Sequence, residues 1–309
     1  MKKLYFDCFS GISGDMVIGS LIDAGADPNQ LLEELKKLHM EDEYELQWKK
    51  IVKNGITSTK FDVVLLKNSI NGDSHDHQHV HVHEHSHDHN HSHEHHHEHD
   101  HAHSHEHHHE HDHSHEHHHE HDHDHNHEHH HENDHGHHHH EHRSYQEIVG
   151  LIKKAGFSEK VEDTALKIFK RIGEAEGLIH GIPLEKVHFH EVGAVDSIID
   201  IIGAAILIHQ LDVSEIKSSP IPVGAGRIHI DHGIYPVPAP ATLEILKGVP
   251  IEQSNIRAEL TTPTGAAIVA VLAEEFCCLP SMKVQAIGYG AGTKTFTDHP
   301  NVLRVIIGE

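Results

Sequence analysis

Lys3-Leu-Tyr-Phe-Asp-Cys-Phe9, then Ser10-Gly-Ile-Ser-Gly-Asp15, then Met16-Val-Ile-Gly-Ser-Leu-Ile-Asp-Ala24 run on without a break. The first reads as an apolar strand, the second as a loop of small residues and the third as an apolar-periodic helix. A strand that feeds a helix through a glycine-serine loop is the opening of an α/β domain. Outward from it, Pro28–Leu38 predicts a second helix with Pro28 in its first turn. Tyr44–Val52 and Thr57–Leu66 alternate as two strands around Asn54-Gly55, a hairpin turn signal. Helices follow at Tyr145–Ala155 and Ser158–Gly177, the latter capped by Ser158. Ser197–Gln210 is apolar nearly all round and predicts a buried helix. Strands are expected at Ile216–Val223 and Arg227–Ile230, and helices at Ala241–Lys247 and from Thr262-Pro263 to Phe276. Ser281–Ile287 and Val302–Ile307 close the chain as strands separated by a loop, Gly288-Tyr-Gly-Ala-Gly292. The fold class is α/β, with a mixed α+β arrangement left open and strand order beyond the reach of periodicity.

Between the hairpin and Arg143 the composition changes abruptly. Asp73–His142 holds 39 of the 47 histidines, 18 acidic residues and no Lys or Arg. The formal charge of −25 is concentrated there: the other 239 residues carry 31 acidic against 24 basic side chains, a net −7. The expected organisation is an N-terminal α/β segment 1–72, a disordered insert 73–142 and an α/β segment 143–309 that packs with the first. The unit His-Ser-His-Glu-His-His-His-Glu-His-Asp occurs at 91–100, 103–112 and 113–122. It has almost nothing apolar to bury, hence the expected disorder. Neutral imidazole suits Ni, Zn, Cu and Co, so weak multi-site metal binding is expected, through His95, His97, His107, His109, His117 and His119 among others. Protons compete for the same nitrogens, so loading should fall on mild acidification.

Composition excludes several classes. The charge has the wrong sign for a nucleic-acid binder. No apolar run is long enough to span a membrane, and the N-terminus lacks the apolar core of a signal peptide. Cys8, Cys277 and Cys278 make neither a disulfide framework nor a metal-binding pair. The cytoplasm is the expected compartment.

Three constellations carry candidate chemistry. In the first loop, Ser10, Gly11, Ser13 and Gly14 precede a helix N-terminus and suit a phosphate, with Asp7 and Asp15 as carboxylates for an intervening divalent ion. The alternative is a tight turn. In the second, His188-Phe-His190-Glu191 leads to Asp196 and Asp200, four apart on a helix. Two imidazoles and nearby carboxylates make a site for a first-row divalent ion, although Asp196 also fits as a helix-start carboxylate. In the third, Thr261, Thr262 and Thr264 offer hydroxyls at another helix start, and Gly224-Ala-Gly226 and the 288–292 run are further small-residue loops. His229 and His232 flank Asp231 as a lesser metal or proton-transfer candidate. No nucleophile–base pair is legible.

These motifs resemble a known family. Asp7-Cys-Phe-Ser-Gly-Ile-Ser-Gly-Asp-Met16, His188-Phe-His-Glu-Val-Gly-Ala-Val-Asp196, His232-Gly-Ile-Tyr-Pro-Val-Pro-Ala-Pro-Ala-Thr242, Glu259-Leu-Thr-Thr-Pro-Thr-Gly265 and Ile287-Gly-Tyr-Gly-Ala-Gly292 are similar, in order, to those of the LarC-type nickel-insertion proteins. The resemblance implies a CTP-dependent cyclometallase, a lyase that places Ni(II), its substrate, into pyridinium-3,5-bisthiocarboxylic acid mononucleotide. The product is the nickel-pincer cofactor, with lactate racemase apoprotein as recipient. Read together with the constellations above, it leads to the expectation that His188, His190 and Glu191 present the ion; which group takes the ring proton is open, with Asp196 and His229 as candidates. Members of the family usually continue beyond the point that corresponds to Glu309. The CTP site, with Mg or Mn, is therefore expected in a C-terminal part or a separately made partner. Two other readings are a nickel-storage protein or metallochaperone acting through the histidine segment, and a zinc hydrolase using His188, His190 and Glu191.

Overall fold

Leu4, Tyr5 and Phe6 are all buried, so the strand Lys3–Asp7 (β1) is covered on both of its faces. The computed structural model describes residues 1–66, 143–189, 194–230 and 232–309. After β1 come α1 (Gly14–Asp23), α2 (Pro28–Leu35), the hairpin β2 (Tyr44–Lys53) and β3 (Ile56–Leu65), α3 (Tyr145–Ala155), α4 (Glu159–His180) and α5 (Val195–Gln210). Then follow β4 (Glu215–Ser218), β5 (Ile221–Pro222), β6 (Arg227–Ile230), β7 (Gly233–Pro236), α6 (Pro240–Ile245), β8 (Ile251–Glu252), α7 (Pro263–Leu272), β9 (Glu275–Phe276), β10 (Val284–Ala291) and β11 (Val302–Gly308). The fold is mixed α/β. Among the described residues no helix is long and apolar enough to cross a membrane.

One seven-stranded sheet runs β2-β3-β10-β11-β1-β4-β9. β1 pairs antiparallel with β11 and parallel with β4, so a strand from before the histidine segment lies between two from after it. Leu4 and Phe6 of β1, with Leu303, Val305 and Ile307 of β11, join the main apolar core. Their neighbours Asp7 and Arg304 point to the other face, as strand alternation requires. α1 packs on β3 and β10, α5 on α1, and α4 on α5. The sequence of α5 predicts burial, and Ile198, Ile199, Ile201, Ile202 and Leu207 are all 0% exposed. Those five side chains contribute on the order of 10 kcal/mol of apolar burial before entropy is subtracted.

Local signals act where expected. Asn54 and Gly55 have φ of 46° and 82°, the double positive value of a tight hairpin turn. Ser144 and Glu147 form a reciprocal capping box on α3, and Ser158 caps α4. Three expectations are corrected. The glycine run 288–292 is no loop: Gly288, Gly290 and Ala291 lie within β10. A β-carbon at Gly288 would stand 2.0 Å from the Ser20 carbonyl oxygen, and one at Gly290 would stand 1.9 Å from that of Met16. The glycines let α1 lie directly on the strand. The helix expected to reach Phe276 stops at Leu272, because Glu275 and Phe276 pair with β4, and sheet pairing overrides helix propensity. The strand expected over Ile216–Val223 breaks at Ser219-Pro220, where proline has no N–H for a ladder, and β5 pairs with β8 instead.

Glu43 anchors both borders of the histidine segment. Its carbonyl accepts from the Leu66 N–H at 2.8 Å, and its two carboxylate oxygens accept from Arg143 at 2.7 Å.

Candidate functional site

Two of the motif loops are laced together. Ile12 N–H donates to the Leu260 carbonyl at 3.1 Å, and Thr262 N–H donates back to the Ile12 carbonyl at 3.1 Å. The approach requires glycine on both sides. Gly11 has φ +86° and a β-carbon there would sit 2.0 Å from the Leu260 oxygen, while one on Gly265 would sit 2.1 Å from the Ile12 oxygen. This stitching brings the N-termini of α1 and α7 side by side. The start of α5 comes to the same place, where the carboxylate of Asp200 packs on Gly14.

The three helix starts open on one cleft of about 420 Å³. Ser13, Gly14 and Asp15 line it from α1, Asp196, Ser197 and Asp200 from α5, and Thr262, Pro263 and Thr264 from α7. Lys60 and Asp62 of β3 close one wall, and Glu259, Lys294 and Asn301 stand on others. Neither Ser13 nor Ala194 caps its helix with a side-chain hydrogen bond, whereas Thr262 accepts from the Gly265 N–H at 3.2 Å. Helix starts carry partial positive charge and suit an anionic oxygen group.

Charge in the cleft is mixed. Lys60 is buried and its ammonium donates to Asp15 at 2.8 Å, pairs with Asp62 at 2.7 Å and donates to the Phe61 carbonyl at 2.9 Å. Burial works against that charge, but the Asp15 and Asp62 carboxylates outweigh it and hold the group above the usual lysine range. Ser13 donates its hydroxyl to the other Asp15 oxygen. Burial, then the nearby Asp15 and Asp196 carboxylates, push the Asp200 carboxyl well above the usual range, against the pull of Lys60 and of the Asp15 N–H. Its Oδ1 is buried with no hydrogen-bond partner among the described residues. Burial also raises the Glu259 carboxyl against the pull of Lys294. Five carboxyl groups and two ammonium groups line the cleft. A bare phosphate is disfavoured there. A phosphate on a molecule that also brings positive charge fits.

The candidates fall into three groups. Ser13, Gly14, Asp15, Asp196, Thr262 and Thr264 come together in the cleft. Others do not line it. Asp7 pairs with Arg304, whose Nε lies 2.7 Å away, on the face of the sheet turned from the main core. Ser10 donates to the Pro300 carbonyl at 2.7 Å and Thr261 to the Pro222 carbonyl at 2.8 Å, both buried, while Gly11 serves the loop contact above. These residues build the walls instead of facing the cleft. His188 is exposed and bridges to Ser144, and His229 is exposed on β6 opposite Ile234. His190, Glu191, Asp231 and the insert residues His95, His97, His107, His109, His117 and His119 lie outside the described residues. Among the described residues no group of three or more His, Cys, Asp or Glu stands ready to hold a metal ion. Cys8, buried with its thiol pushed up to about 12 by burial, is packing and not a nucleophile.

Sequence reasoning missed Lys60, Lys294, Asn301 and Glu259 as members of the cleft, and it gave Asp200 no separate role. Lys60 has one detectable signal, a charge on a strand whose neighbours Thr59 and Phe61 are both buried. Lys294 and Asn301 carry none, because only the pairing of β10 with β11 brings them alongside the α1 loop.

The sequence model of the family described as nickel insertion protein matches residues 4–309. A pyridinium-3,5-bisthiocarboxylic acid mononucleotide nickel insertion protein of Geobacillus kaustophilus is 46% identical over 309 residues, covering 100% of this chain and 60% of its own length. A protein of the same name from Clostridium kluyveri is 41% identical, with 100% and 62% covered. Another, from Staphylococcus epidermidis, is 39% identical over 305 residues, with 99% and 59% covered. The chain thus spans about three-fifths of the length of these relatives. No solved structure matches it. With a family match over nearly every residue and relatives at up to 46% identity, this chain belongs to the nickel insertion protein family.

Proposed function

We propose that the chain is the metallating part of an enzyme that inserts Ni(II) into pyridinium-3,5-bisthiocarboxylic acid mononucleotide, the substrate in its relatives' names. The observation that carries this reading is the convergence of the α1 and α7 N-termini, Lys60 and the carboxylates of Asp15, Asp196 and Asp200 in one cleft. The substrate has an anionic phosphate and a cationic ring, which matches a cleft with helix starts and two lysines amid five carboxyl groups.

The reaction replaces one ring C–H bond with a nickel–carbon bond, and the two thiocarboxylate sulfurs supply two nickel–sulfur bonds. One proton leaves, so the site needs a base. Asp196 takes that role. It is exposed at the cleft on the first turn of α5, where a captured proton passes on to water. His188, His190 and Glu191 deliver the ion along the segment that leads into that same turn. Ser13, Gly14, Thr262 and Thr264 receive the phosphate, and Asp15 supports it through a divalent ion. CTP, with Mg or Mn, acts on a C-terminal part or separate partner, the setting is cytoplasmic, and lactate racemase receives the product.

A single-turnover absorbance assay with the bisthiolated nucleotide, Ni(II), CTP and the C-terminal part tests this. Asp196→Asn should slow growth of the nickel-bound chromophore at least a hundredfold, the usual range for a lost general base. Unchanged insertion in that variant, or in His188→Ala with His190→Ala, refutes the corresponding role. Loss of insertion on replacing only 73–142, at saturating nickel, would assign the function to the histidine segment.

A further inference from the structure

Pro263, the first residue of α7, lines two cavities: the cleft and a second one of about 310 Å³. Glu176, His180 and His232 line the second. Glu176 and His180 are four apart on α4 and share a face, with Glu176 Oε2 3.2 Å from His180 Nε2. His232 arrives from a separate element, just before β7, and its ring centroid lies 5.2 Å from that of His180, inclined at 64°. Tyr235 stands beside them.

A helical Glu–His pair by itself is commonplace. Here the Glu176 side chain is 13% exposed, so its carboxylate is drawn out of water against two imidazoles, at a desolvation cost that its partners must offset. Burial raises its carboxyl, against the pull of His180 first and then His232. Two nitrogens and one carboxylate oxygen on a cavity wall are a donor set for a first-row transition metal, with positions left for water.

We propose that Glu176, His180 and His232 form a loading site for a divalent transition-metal ion, from which the ion passes Pro263 into the cleft. That the ion is nickel rests on the insertion reading; the site itself does not. The three side chains are not drawn together as a cage, so they must rotate inward to bind. An open set of this kind holds an ion loosely enough to surrender it to a chelating substrate. The bisthiolated nucleotide, with two sulfurs and a carbon, is the stronger ligand for nickel. Transfer then runs downhill.

The test uses the chain with 73–142, which offers a core almost nothing apolar, replaced by a short Gly/Ser linker, and with His188→Ala and His190→Ala so that the other proposed imidazole ligands do not contribute. Titration with Ni(II), and with Co(II) as a spectroscopic probe, should show one ion bound with imidazole-type ligand-field bands. His180→Gln with His232→Gln should weaken binding at least tenfold and abolish those bands, with the thermal midpoint checked in parallel. Wild-type affinity and bands in a folded double variant would overturn the proposal. A second measurement needs no variant: Ni(II) should protect His180 and His232 from diethylpyrocarbonate, and leave exposed His209 on α5 reactive. Equal modification with and without nickel would also overturn it. Insertion at saturating nickel with no ion bound here removes the site but not the function. An ion bound here with no insertion in the complete mixture removes the function but not the site.

Discussion

Asp200 presses so closely on Gly14 that a β-carbon on the glycine would stand 2.4 Å from its Oδ2. The contact joins α5 to the first turn of α1, where the Asp15 N–H pulls weakly against the rise of the Asp200 carboxyl. A helix start thus meets a carboxyl group whose ionisation burial makes harder.

The pH dependence follows from the sign of that shift. In the unfolded chain Asp200 ionises near 4, whereas in the folded chain its value is raised, so folding retains a proton. Its contribution to stability is full below the unfolded value and is lost as pH rises through the folded value. Asp200→Asn, which keeps an acceptor for the Asp15 N–H, should raise the thermal midpoint at pH 8 in chelator-treated buffer. A gain of about 2–4 °C corresponds to 1 kcal/mol in a body of this size, and it should shrink towards pH 4. Melting curves at both pH values decide it, and a variant less stable at pH 8 contradicts the assignment.

The glycines of β10 yield a contrast between two alanines. Gly290→Ala forces a methyl group onto the Met16 carbonyl and should destabilise by about 2–4 kcal/mol, through overpacking. Gly150→Ala on α3 meets nothing within 4 Å and should stabilise by about 0.5–1 kcal/mol. Urea unfolding of both variants measures the difference. Equal midpoints would mean that α1 does not rest on the strand as described.

Much of this fold is visible in the residues themselves. Caps, the Asn54-Gly55 turn and the apolar period of α5 are local, so α3, α4 and the hairpin fall where the pattern puts them. The 288–292 run misleads because glycine reports an absence of side chain, not what fills the space; only α1 overhead shows that the space is filled. The cleft divides the same way. Ser13, Asp15, Asp196 and Thr262 announce themselves as helix-start residues, while Lys60 and Lys294 join them through sheet pairing between distant segments. Asp7 and Asp15 look equivalent in sequence, but the alternation of β1 sends Asp7 to the opposite face and to Arg304.

Lys60 is expected to matter for substrate binding. Lys60→Met leaves Asp15 and Asp62 without their cation and should lower stability by about 1–3 kcal/mol. It should also raise KM for the nucleotide about tenfold, equivalent to 1.4 kcal/mol. Lys60→Arg keeps the charge and should recover most of the stability but less of KM, because guanidinium geometry differs. Steady-state kinetics with the C-terminal part present reads both effects; an unchanged KM in Lys60→Met would place the phosphate elsewhere.

Replacing 73–142 by a linker should move the thermal midpoint by less than about 2 °C, since a range with only Val80, Val82 and Ala102 as apolar residues offers a core almost nothing to bury. The number of Ni(II) ions bound at pH 7.5 should fall steeply. In the unaltered chain most of those ions should be released between pH 7 and pH 5.5, as imidazoles take up protons. Calorimetry and equilibrium dialysis check the two halves, and a midpoint loss of 10 °C would show that the segment supports the fold.

Leu66 and Arg143, the described residues on either side of the histidine tract, are both fastened to Glu43, so the fold is tied off where that tract departs and returns. Closure entropy grows with the logarithm of length, so doubling a loop between those two ties costs only about 0.6 kcal/mol. The cost to the fold of gaining or losing one of the tandem decapeptides is therefore small. Appetite for metal is thereby left free to evolve at its own speed, apart from the fold.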